Sequence, residues 1–133
     1  MNRNLQLLGM AKKAGLLAIG GESVSAAAWS GKAAAIISAS DASQGSIRRA
    51  RENAKCCGVV HIVVPYTKFE FGNAAGRGSP GTLAILDAGL AAGFIGRLAE
   101  SEPERYGEMA EVIAKSAGRI DVRKRIRKGR AAQ

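Results

Sequence analysis

An α/β sandwich, a central sheet covered by helices on both faces, is the fold class the sequence predicts, and three observations predict it. Segments of helical and of strand character alternate along the chain. The strand segments are apolar at nearly every position, as in sheets buried on both faces. The apolar residues are also small, with 25 Ala and 17 Gly among 133 residues and only 5% aromatics. Small side chains let helices approach a sheet closely. A chain of this length fits one compact domain with a short tail and needs no disulfide or metal staple.

Each element has its own local cause. Asn4 to Ala14 places Leu5, Leu8 and Ala11 on one helical face, puts Lys12 and Lys13 in the last turn and ends at Gly15. Leu16 to Ile19 is a short apolar run, expected as an edge strand, broken by Gly20-Gly21. Glu22 to Ser30 reads as a second helix stopped by Gly31. The continuous apolar run Ala33 to Ala39 predicts a buried strand. Asp41, with Gln44 three residues on, predicts a capping box that opens a helix through Lys55. Val59 to Val64, VVHIVV, is β-branched and is expected as a central strand. Tyr66 to Ala75 reads as a short helix, stopped by GRGSPG (Gly76 to Gly81). Thr82 to Leu86 predicts a further strand, and Asp87 caps a helix with Leu90, Phe94, Ile95 and Leu98 inward.

The chain divides into a domain over residues 1–99, an acidic helical extension over 100–118 and a basic tail over 119–133, expected to be mobile or conditionally helical. In the extension, Met109, Val112 and Ile113 mark a weak helical period. The net charge is +9, unevenly spread. Residues 1–99 hold 11 Lys and Arg against 5 Asp and Glu, residues 100–118 hold 2 against 5, and residues 119–133 hold 7 against 1. A basic body with a basic end points to a polyanionic partner, nucleic acid ahead of an anionic membrane. No run of about 18 apolar residues is present, so no membrane span is expected, and charges interrupt every apolar stretch of the N-terminus, unlike a signal peptide.

Catalysis finds little support in the residues. The single histidine, His61, lies within an apolar strand segment and is expected to be a neutral imidazole bonded to backbone rather than a general base. Cys56 and Cys57 are adjacent, a poor arrangement for a bridge, and no second cysteine pair exists to complete a zinc site. They are expected to be reduced packing thiols at a helix end in a cytoplasmic protein. GRGSPG lacks the Lys that a phosphate-binding P-loop carries after its last glycine, Thr82 standing there instead. It reads either as a surface loop or as a loop that touches a partner. No enzyme activity, cofactor, metal or small-molecule substrate is expected. More specific is KKAGLLAIGGESVSAAAWSGKA, residues 12–33. Cations end one helix, a glycine pair opens the next and Lys32 follows it. Unpaired amides at a helix start bind anions, and glycine lets a phosphate approach the backbone. A capping turn with structural glycines is the alternative.

That string, with IISASDAS (36–43), CGVVHIVVP (57–65), FGNAAGRG (71–78) and LAILDAGLA (83–91), resembles the kink-turn RNA-binding family of ribosomal proteins, the seven-Ae and thirty-e superfamily, especially its small bacterial members. The likeness spans about residues 3–99 without gaps between blocks. It implies a three-layer α-β-α sandwich around a four-stranded mixed sheet. It further implies an RNA grip formed by the start of the second helix, Gly20 to Ala26, and by the loop before the last strand, Arg77 to Pro80. Kink-turn binders place Asn, Glu and Lys where this chain has Glu22, Ser23 and Ala26. Ala26 supplies no charge for a phosphate, and Glu22 is an acceptor only, suited to base amino groups.

The resulting expectation is a cytoplasmic, non-catalytic protein that binds structured RNA, of kink-turn or ribosomal origin. Lys12, Lys13, Lys32 and Arg77 would hold phosphates, the Gly20-Gly21 pair would admit the RNA backbone, Glu22 and Ser23 would touch base edges, and Gly78 and Ser79 of the loop would also contact the RNA. The rival expectation is a protein-interaction module of the same fold that has lost specific kink-turn binding and associates with a ribosome or a protein.

Overall fold

The computed structural model describes residues 2–76 and 78–114; Arg77 and the basic tail 119–133 lie outside the described residues. The elements run α1 (Arg3–Lys13), β1 (Leu17–Ile19), α2 (Gly21–Trp29), β2 (Ala35–Ser38), α3 (Gln44–Cys57), β3 (Val60–Val63), α4 (Lys68–Ala75), β4 (Thr82–Ile85) and α5 (Ala88–Ser101), and residues 103–114 are also helical.

Four of the five helices α1–α5 open where the sequence supplies a polar cap. Asn2, Ser43, Thr67 and Asp87 each accept an amide N–H of the following turn, and Thr67 forms a full capping box with Glu70. The cap of α3 corrects the expectation from Asp41. Ser43 takes the amide of Ser46 at 3.1 Å, while Asp41 Oδ1 accepts the Lys68 amide at 2.8 Å and so ties the start of α3 to that of α4.

The strands form one sheet in the order β1-β4-β2-β3. β4 runs antiparallel to both β1 and β2, and β2 runs parallel to β3, so the sheet is mixed. Its two faces follow from strand alternation. Ile37, Ile62, Leu83 and Ile85 point to one face, where Leu8 of α1, Phe71 of α4 and Phe94, Ile95 and Leu98 of α5 cover them. Ile36 and Ala84 point to the other, under Val24 and Ala28 of α2 and Ala50 and Ala54 of α3. Three layers result. Each large side chain buried on the first face contributes about 1.5–3 kcal/mol; the second face is built mostly of alanines around Ile36 and Val24.

VVHIVV is an edge strand, not a central one, because β3 pairs with β2 alone. Helices cover both faces of it, which explains its apolar composition. His61 bonds a side chain rather than backbone: its Nε2 lies 2.9 Å from Ser38 Oγ, and burial followed by the nearby Arg51 cation lowers its pKa from 6.5, favouring the neutral ring. Cys56 is exposed and Cys57 half-buried, both as free thiols. The helical residues 103–114 send Tyr106 and Ile113 into the main core, whereas Val112 is exposed.

Candidate nucleic-acid interface

α2 is the exception among the starts of α1–α5. Gly20 precedes it at φ +87° and ψ 160°, a conformation open essentially to glycine, and no side chain caps the first turn. Helix geometry leaves the amides of that turn without intrahelical partners, and Gly21, Glu22 and Ser23 carry them on the exposed surface. The position of this turn is fixed from behind, where the Gly20 amide donates to the Thr82 carbonyl at 3.0 Å. Thr82 opens β4, so the start of α2 sits at the end of the loop that precedes that strand.

The loop is held tightly on its other side. Gly76 ends α4 in the left-handed region at φ +76°, and Lys12 reaches it: a Cβ on Gly76 would lie 2.8 Å from Lys12 Nζ. The Gly78 carbonyl rests on Gly72 of α4 so closely that a Cβ there would overlap it. At the far end the Gly81 carbonyl accepts the Ala39 amide at 2.8 Å. Gly78 and Ser79 are exposed between these anchors.

One end of the molecule therefore brings together Lys12 at the close of α1, the loop glycines and Ser79, and the uncapped turn Gly20 to Ser23. Lys13 is exposed in the same last turn of α1. Arg77 belongs to this loop by sequence but lies outside the described residues. Lys32 is not brought in: it follows the opposite end of α2, roughly 13 Å away along a nine-residue helix. Ala26 is exposed on α2, where its methyl group offers no hydrogen bond.

A cation that the sequence pattern did not single out borders the site. Arg49 Nη1 would lie 3.5 Å from a Cβ on Gly21, and Arg49, Gly21, Ser46, Asn53 and Thr82 are among the residues lining a cleft of about 360 Å³ between α2 and α3. The available signal was the density of cations in α3, where Arg48, Arg49, Arg51 and Lys55 stand against Glu52. Among the described residues, no cluster of three His, Cys, Asp or Glu side chains is placed to hold a metal ion, and no helix is long and apolar enough to cross a membrane.

The α-β-α sandwich with a mixed four-stranded sheet is a fold shared with known structures. A protein with unknown function from Bacillus halodurans C is similar at a TM-score of 0.65 and 26% identity, over 71% of this chain and 94% of that one. A 15.5kD RNA binding protein of Giardia lamblia is similar at a TM-score of 0.57 and 20% identity, over 70% of this chain and 82% of that one. No family model and no curated protein matches the sequence.

Proposed function

We propose that this chain is a non-catalytic RNA-binding protein of the cytoplasm that recognises structured RNA, of the kink-turn or ribosomal kind. The observation that carries this reading is the uncapped start of α2, tied through Gly20 and Thr82 to a glycine loop whose other border is Lys12. Amides, glycines and a flexible cation at one end suit a closely approaching phosphate backbone, and Glu22 and Ser23 beside them suit base edges. The charge of +9 supports the same partner, as does the RNA binding named for the Giardia protein of the same fold.

Fluorescence anisotropy with a labelled kink-turn hairpin and a plain duplex of equal length tests the proposal. Saturable binding, tighter for the hairpin, is the expected result. Absence of binding to either RNA at moderate salt would favour the rival, a protein-interaction module associating with a ribosome or protein. That rival draws its support from Ala26, which stands exposed where the resemblance calls for a phosphate-binding Lys.

A further inference from the structure

We propose that the α2–α3 face is a second RNA-contacting surface, a track for single-stranded nucleotides that flank the structured element, with Trp29 as its stacking platform. The proposal rests on the RNA-binding reading above and extends it away from the uncapped turn. Trp29 is 67% exposed at the end of α2. A single exposed aromatic is ordinary, but this one is held in place. Its Nε1–H donates to Asn53 Oδ1 of α3 at 3.2 Å, and the Asn53 amide donates in turn to Ser25 Oγ at 2.7 Å. The bond orients the indole while most of the side chain stays open to solvent, which lowers the freedom lost when a planar group stacks on it.

Among the described residues, the groove leading to it holds one cation, Arg49. Asn53 also lines the cleft between α2 and α3, about 360 Å³, whose other end holds Arg49 beside Gly21. From Gly21 to Trp29 the helix rises roughly 12 Å, room for a short run of nucleotides. Arg49 is the cation among the residues lining the cleft, while Arg48 and Lys55 are exposed on another face of α3, together with its one acid, Glu52. A positive groove that follows a backbone and ends on an aromatic side chain is the arrangement by which proteins hold single strands without reading sequence. An acidic protein would also answer the charge, but the cleft and an oriented, flat aromatic favour a base over a side chain.

Trp29 is the only tryptophan in the chain, so its fluorescence reports on this surface alone. Titration of the full chain with octauridine is expected to quench it saturably, with weaker binding as salt rises, and Arg49→Gln is expected to weaken that binding. In a second arm, an eight-nucleotide uridine overhang on the kink-turn hairpin is expected to raise affinity about tenfold. Trp29→Ala should abolish that gain and leave affinity for the blunt hairpin unchanged, while Trp29→Phe should keep part of it. No fluorescence change at high octauridine concentration, or an overhang gain that survives Trp29→Ala, would overturn the proposal and leave this face to a protein partner. A chain that fails to bind the hairpin but still answers octauridine through Trp29 would overturn the structured-RNA reading alone.

Discussion

The amide of Gly20 donates to the carbonyl of Thr82 at 3.0 Å and joins the start of α2 to the first residue of β4. Two stretches about sixty residues apart in sequence are thereby held as one surface. Gly20 occupies φ +87° and ψ 160° to make this bond and to point the first turn of α2 outward.

Replacing Gly20 by Ala is therefore expected to act through the backbone. A Cβ there meets nothing within 4 Å, so no clash contributes. The strained conformation alone should cost about 1–3 kcal/mol. Urea denaturation measures that loss, and RNA affinity should fall with it, because the first turn of α2 shifts when Gly20 relaxes.

Gly72→Ala tests the support beneath the loop. The new methyl group would overlap the Gly78 carbonyl, a backbone atom, so the loop itself must shift to admit it. Overpacking of this kind costs about 1–3 kcal/mol. A lowered melting temperature together with weakened hairpin binding is expected; binding that stays unchanged would show that the loop position does not matter to the RNA.

Acidification should destabilise the fold through His61. Burial first, and the Arg51 cation second, lower its pKa in the folded chain below the ordinary 6.5. The unfolded chain thus binds the proton more readily, so this contribution to stability is present above pH 6.5 and is lost as pH falls from there through the folded value. Denaturation midpoints across that range should decline with falling pH, and His61→Asn, which removes the titration, should flatten the decline.

The three positions that depart from kink-turn binders allow a gain-of-function test. Glu22 and Ser23 are exposed at the start of α2, and Ala26 lies one turn on along the same helix. None of the three belongs to the buried core, so their replacement disturbs little packing. Glu22→Asn, Ser23→Glu and Ala26→Lys together should raise affinity for a kink-turn hairpin relative to a plain duplex. One regained charge-assisted bond is worth about 1.5–3 kcal/mol, tenfold or more. An unchanged ratio would place recognition on another surface.

Much of the architecture was legible in the residues because face burial and capping are local signals. The apolar runs at 35–38 and 82–85 marked strands covered on both sides, and Asp87 marked a helix start. Lateral order was not legible in the same way. VVHIVV is covered above and below, which its composition records, but whether a strand has one neighbour or two leaves no trace in side chains that point up and down. The cap of α3 falls two residues beyond the expected Asp41 because Asp41 and Ser43 are equally good caps, and Asp41 is engaged by Lys68, a partner remote in sequence. Tyr106 gave no signal in a segment read by its aliphatic residues, although its spacing to Ala110 and Ile113 fits one helical face. At the candidate site, the glycine pair and Lys12 were visible as a motif. The approach of Lys12 to Gly76 and the Trp29–Asn53 bond were not, since both depend on packing between distant elements.

The most direct test of the central claim is the salt dependence of hairpin binding, read as the slope of log Kd against log salt concentration for the unaltered chain and for Lys12→Ala/Lys13→Ala. Both lysines are exposed at the close of α1, so the double variant should keep its stability. If these cations hold phosphates at the end where α2 opens, the slope should become shallower by about two units, one for each phosphate that no longer meets a lysine. A slope identical to that of the unaltered chain would contradict the claim and place the phosphate-binding cations elsewhere on the molecule.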